Sequence, residues 1–182
     1  MQLTFSTRIP PVTSALLLLM ALTLPLNALL LPAGAGCNSC TLQGEGWRLF
    51  TSLFLHADLQ HLLSNASCLL MLGFFLEKQL TPWTFSLLFF LSGLAGNVLT
   101  LLLMPAHFTH VGASGAVFGL LGAQIYIFYL QKQRYGHREF SLLLLALLLL
   151  VSATFLDRTV NIAAHLGGLL AGGMLMPLLY KE

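Results

Sequence analysis

Apolar residues run through this chain in six blocks, about 11–32, 59–76, 83–104, 114–131, 140–156 and 160–180, with Gly, Pro or polar residues punctuating the joins. Each block approaches the roughly 20 residues an α-helix needs to cross a bilayer. The pattern therefore predicts six spanning helices with short connections, the longest running from Pro32 to Asp58. The blocks differ in texture. Leu142–Leu150 is almost featureless, whereas the second and fourth blocks contain Gly, Asn and Ser. Polar residues inside a span are costly, so these exceptions carry the information.

Composition narrows the class further. Of 182 residues only 8% are charged and 57% are apolar, and the mean hydropathy is +0.86. Soluble domains carry roughly 25% charge, so soluble, nucleic-acid-binding and disordered chains are all excluded. No internal repeat, low-complexity linker or second domain is visible, which predicts one transmembrane domain over 1–182.

With a cytoplasmic N-terminus, the inside connections hold Arg8, Lys78, Lys132, Arg134, Arg138 and Lys181, and the outside ones only Arg48 and Arg158. That bias orients spans two, four and six from outside to inside. Ala33-Gly34-Ala35-Gly36-Cys37 superficially resembles a cleavage or lipidation site. The preceding apolar run is long for a signal, and Gly34 stands where a lipidation box wants a branched aliphatic residue. Cys37 and Cys40 share the long outer loop, where an oxidised pair is the favoured reading and two free thiols the next. Cys68, inside span two, reads as a small buried apolar residue.

The intramembrane polar residues are His61 and Asn65 in span two, Ser114 at the start of span four, and Asn161 and His165 in span six. His61 and Asn65 are four apart and share a helix face. At 1.5 Å per residue, Asn65 and His165 lie roughly 8–10 Å below the outer ends of their helices. Three helices thus present polar groups at similar depth on one side. Gly115, Gly119 and Gly122 form a small-residue stripe below Ser114, and Gly168 and Gly172 form another below His165. Such stripes let backbones approach closely. Taken alone they are ordinary packing devices, and a lone His in a span is often a packing residue. Their convergence at one depth instead favours a site.

Ser114 needs a base to become a nucleophile, and His165 can take its proton and return it to a leaving amine. Glu45, Asp58, Glu77, Glu139, Asp157 and Glu182 all fall in loops or at helix ends, so no carboxylate lies deep in a span. The expected arrangement is a Ser/His dyad, with the Ser114 backbone N–H, His61 and Asn65 meeting the oxyanion. The lack of buried acids also argues against a proton- or cation-coupled transporter. His56, at the mouth of span two, and His107 and His110, in the short outer loop before Ser114, read as solvated positions, not as a metal site.

Trp47-Arg48, His61-Leu62-Leu63-Ser64-Asn65, Glu77-Lys78, Gly112-Ala113-Ser114-Gly115, and His165 followed by Gly168 and Gly172 occur in this order. The set resembles the rhomboid family of intramembrane serine proteases from Trp47 to about Gly172, with a motif-bearing core of about 45–180. The resemblance implies a compact six-helix bundle without metal or cofactor. Transmembrane proteins would be cleaved near their outer ends, and membrane lipid and these substrates, not nucleic acid, would be the partners. It further implies Ser114 as nucleophile, His165 as base, and His61 and Asn65 as oxyanion supports. Trp47-Arg48 would belong to an amphipathic loop lying partly in the bilayer, and Glu77 would be structural. Gly112, Gly115, Phe118, Gly119, Gly168 and Gly172 would support packing. Phe118 departs from the Tyr that many bacterial members carry; its ring can still back His165 but brings no hydroxyl. The implied location is the bacterial inner membrane; the charge bias puts both termini in the cytoplasm, and a preference for unstable substrate helices would suit membrane-protein quality control. A rhombosortase-like processor of C-terminal anchors and a non-catalytic pseudoprotease are the alternatives.

Overall fold

A computed structural model describes residues 10–131 and 160–180, together with Ser141 and Leu145, both helical. The rest of the fifth predicted span, about 140–156, lies outside the described residues. Among the described residues, four helical runs are long and apolar enough to cross a membrane: Pro11–Gly34, Leu59–Leu76, Pro82–Leu103 and Ile162–Leu179. The chain is an integral membrane protein. The first run comprises α1 (Pro11–Thr23), one 3-10 turn (Leu24–Leu26) and α2 (Asn27–Gly34). The long loop after it folds into strand β1 (Gly36–Cys37) and two short helices, α3 (Asn38–Leu42) and α4 (Arg48–Thr51). There follow α5 (Leu59–Leu76), α6 (Pro82–Leu103), strand β2 (Thr109–His110), α7 (Ser114–Leu130) and α8 (Ile162–Leu179).

The helix starts obey local chemistry. Asp58, Thr81 and Asn161 cap α5, α6 and α8 with side-chain oxygens that accept first-turn amides. α1 is capped from a distance: the Glu77 carboxylate at the end of α5 accepts Val12 N–H at 3.0 Å and Thr13 N–H at 2.6 Å. A negative group at a helix N-terminus is favourable on charge and hydrogen bonding alike. The same contact seats buried Thr13 against Gly73.

The connecting loops meet at the opposite end of the bundle. β1 pairs antiparallel with β2, Gly36 facing His110 and Cys37 facing Thr109. Cys37 and Cys40 form a disulfide beside this ladder, with Cα atoms 5.3 Å apart. Asn38 is buried and its amide donates to the Met104 and Pro105 carbonyls, both at 3.1 Å. Arg48 is buried as well. It bonds Glu45 and donates to the Ala35 and Pro32 carbonyls at 3.0 Å each. Trp47 stays exposed, its indole N–H on the Ala33 carbonyl. Cationic and amide groups thus fold inward onto backbone acceptors, and the aromatic ring faces outward.

α7 packs against both α6 and α8, which also pack directly on each other. Its first eleven residues after Ser114 are almost all buried, and its contacts are backbone to backbone. A Cβ on Gly168 would lie 1.9 Å from the Gly115 carbonyl oxygen, and one on Gly172 would lie 1.9 Å from that of Gly119. Gly122 meets the Leu169 carbonyl and Gly96 of α6 meets that of Ala164, at 2.2 and 2.5 Å on the same construction. Without a hydrophobic drive between helices in lipid, such approach is what holds them together.

Two predictions follow from this packing. Gly168→Ala, forced against backbone, should destabilise the protein by about 1–3 kcal/mol. Gly173→Ala, whose Cβ would find nothing nearer than 3.8 Å, should leave the unfolding midpoint unchanged or raise it. Thermal unfolding in detergent compares the two. Alkylation of denatured protein without reductant should label Cys68 alone, and all three cysteines only after reduction; peptide mass spectrometry reads the sites.

Candidate active site

Ser114 is the first residue of α7, half-buried, and the turn before it is fixed from two sides. Gly112 adopts φ +116°, a left-handed conformation that favours glycine. Its N–H donates to the Ser52 carbonyl at 2.9 Å. Its α-carbon faces α5 so closely that a Cβ would sit 2.7 Å from His61 Nε2 and 3.7 Å from Asn65 Nδ2. The turn entering Ser114 therefore lies directly against the His61/Asn65 face. α7 has 17 residues, about 25 Å of helix against a hydrocarbon layer of about 30 Å. The buried turn Gly112–Ala113 supplies irregular backbone at depth, which is tolerated where protein covers it.

Asn65 is buried and donates to the His61 carbonyl at 3.1 Å. An amide nitrogen carries two hydrogens, so a second donor remains on the side facing Gly112. The His61 ring is partly exposed and meets His56 edge-on, centroids 5.1 Å apart.

His165 sits in the first turn of α8, three residues past Ile162 or about 4.5 Å along the axis. It is thus nearer its helix start than the span boundary at 160 predicts. The cap explains this: Asn161 Oδ1 accepts Ala164 N–H at 3.0 Å and exchanges hydrogen bonds with Thr100 of α6 at 2.9 and 3.1 Å. The buried His165 ring stacks on Phe118, centroids 4.1 Å apart and planes 15° from parallel. Phe118 lies one turn below Ser114, so serine and imidazole share one face of α7. Next to them, a Cβ on Gly115 would lie 3.3 Å from the Ala164 carbonyl oxygen.

Two of the outer histidines are not solvated. His107 is exposed, but His56 is fully buried and His110 is half-buried with its ring against Gly36. Burial is the main reason both are held neutral, their pKa lowered to about 4; at His56 the neighbouring His61 adds to the effect. The expectation of solvated loop residues fails because the loop folds back over the helix ends. Asn97, buried in mid-α6, and Thr100 also belong to the polar framework. The rule that singled out Asn65, a lone polar residue within an apolar run, applies equally to Asn97.

Residues 43–182 match the Rhomboid domain family. The chain is 34% identical over 175 residues to the rhomboid-family protein YdcA of Bacillus subtilis (strain 168), covering 92% of this chain and 88% of that protein. It is 34% identical over 163 residues to Rhomboid-like protease 1 of Toxoplasma gondii, spanning 87% of this chain and 56% of the relative. Rhomboid protease GluP of Bacillus subtilis is 30% identical over 139 residues, 76% of this chain and 27% of the relative. The matched stretch includes the α5 face, the turn into Ser114 and the stacked His165, and on these grounds the chain belongs to the rhomboid family of intramembrane serine proteases.

Proposed function

We propose that Ser114 and His165 form the catalytic dyad of this protease, hydrolysing peptide bonds near the outer ends of transmembrane segments. The observation that carries this reading is the His165 ring stacked on Phe118, one helical turn from Ser114 on the same face. Stacking fixes the imidazole plane, a role that a buried carboxylate fills in other serine hydrolases. His165 accepts the Ser114 proton as Oγ attacks the substrate carbonyl carbon, then delivers it to the leaving amine. Water, activated by the same base, releases the acyl group. The Ser114 N–H at the helix start, the free hydrogen of the Asn65 amide and the His61 ring are the donors for the oxyanion. Each such donor is worth about 10²–10³ in rate.

The active site is read as open to the periplasmic or outer face, with both termini cytoplasmic and the whole chain acting as one rhomboid-like domain of the bacterial inner membrane. The excess of Lys and Arg on the opposite connections supports that orientation. Substrates are transmembrane proteins, with disposal of unassembled membrane subunits as the biological role. A substrate must leave helical form before its carbonyl can be attacked, so helix-breaking residues near the cut lower the cost.

An alkyl fluorophosphonate should label the purified native protein, and labelling should vanish in Ser114→Ala and His165→Ala; persistence in Ser114→Ala would sink the assignment. Asn65→Ala should keep the fold and lower kcat about 10²-fold with a smaller change in KM. Replacing Gly or Pro near the scissile bond of a cleaved segment with Leu should reduce kcat/KM, and an unchanged value would remove the helix-unwinding argument.

A further inference from the structure

One amide in α6 is tied twice to the turn that leads into Ser114, directly at His110 and by way of Ser52 at Gly112. Asn97 is 3% exposed. Its Nδ2 donates to the Leu49 carbonyl at 2.7 Å and to Ser52 Oγ at 3.1 Å. Both amide hydrogens are then used, and Oδ1 remains as the acceptor facing His110 Nε2 at 3.1 Å. The His110 ring must therefore be the donor, which fixes the Nε2–H tautomer. Burial favours that neutral ring, and its Nδ1 is buried without a hydrogen-bond partner among the described residues. On the other side, Ser52 returns its own carbonyl to Gly112 N–H at 2.9 Å.

These contacts close a ring: Asn97 to His110, His110 along the chain to Gly112, Gly112 to Ser52, and Ser52 back to Asn97. Only Val111 separates the two residues held. The turn has little freedom to slide along or away from α6. His110 is itself seated from outside. It pairs with Gly36 across the β1–β2 ladder, where a Cβ would come within 2.4 Å of its ring, and Phe108 stacks on it with centroids 6.0 Å apart.

We infer that Asn97 and His110 are positioning residues that clamp the turn Val111–Ala113 and thereby set where the Ser114 hydroxyl stands relative to its base. The inference rests on the reading of Ser114 as nucleophile and adds to it a fixed reference point outside the dyad. Neither residue touches the reacting atoms. Their effect passes through Gly112 and the start of α7, where a displacement of about 1 Å can cost 10²-fold in rate.

The test compares native protein with His110→Leu, His110→Gln and Asn97→Asp, each as the full chain in detergent. Leu removes the donor, Gln keeps an N–H able to reach Asn97, and the Asp carboxylate loses both donated bonds. Rates of fluorophosphonate labelling, kcat and KM on a transmembrane substrate, and hydrogen exchange at the Gly112 amide are the readouts. His110→Leu and Asn97→Asp should label and turn over about 10- to 100-fold more slowly with little change in KM, and Gly112 should exchange faster; Gln should recover most of the rate. Native labelling and turnover rates in His110→Leu, a loss confined to KM, or no difference between Leu and Gln would each overturn the clamp. If Asn97→Asp does not fold, the His110 pair decides alone. Failure of the native protein to label at Ser114 would instead defeat the underlying reading, so the two failures are distinct.

Discussion

Between α6, α7 and α8 the backbones lie so close that a methyl group on Gly96, Gly122, Gly168 or Gly172 would strike a carbonyl oxygen of the neighbouring helix. Lipid gives helices no hydrophobic reason to associate, so packing at this range supplies the cohesion of the bundle. On the proposed assignment of Ser114 and His165, the same closeness governs the chemistry. Ser114 begins one of the two helices in the tightest seam and His165 lies in the first turn of the other. A bulkier seam would separate the helices by the width of a side chain, and the face shared by Ser114, Phe118 and His165 would open.

Polar groups at this end of the bundle serve a second purpose, which is to fix depth. Backbone leaving a helix within the bilayer must find partners inside the protein. Here amides supply them: Asn38 on Met104 and Pro105, Asn161 on Ala164 and Thr100, Asn97 on Leu49 and Ser52. None of these groups carries charge, so little Born cost attends their burial. Arg48, the one buried cation among the described residues of this loop, is met by Glu45 and two carbonyls. The outer loop is thus part of the scaffold that holds the turn before Ser114.

Much of the bundle was legible from residue order. The apolar blocks at 59–76, 83–104 and 114–131 meet the observed Leu59–Leu76, Pro82–Leu103 and Ser114–Leu130 within a residue, because an uninterrupted apolar run of that length has few other solutions in a bilayer. The glycine stripes were visible as spacing, and their contacts are seen in the folded chain. What periodicity could not supply lies in the 35–58 loop. Its short helices and the two-residue ladder depend on long-range hydrogen bonds, so nothing local shows that the folded loop buries His56 and half-covers His110. Asn97 was readable by the rule applied to Asn65. It has no motif partner in sequence, because its partners, Leu49, Ser52 and His110, belong to other elements.

A Ser114/His165 dyad requires the two side chains to be adjacent across the α7–α8 seam in the folded protein. With Cys68 replaced by Ala, the double variant Ser114→Cys/His165→Cys can be treated in membranes with dibromobimane, which fluoresces when it bridges two nearby thiols. A parallel Ser114→Cys/Leu166→Cys variant serves as control, since Leu166 is exposed on another face of α8. Adjacency should give bridging for the 114/165 pair and little for 114/166. No bridging at 114/165, or equal bridging in both, would contradict it.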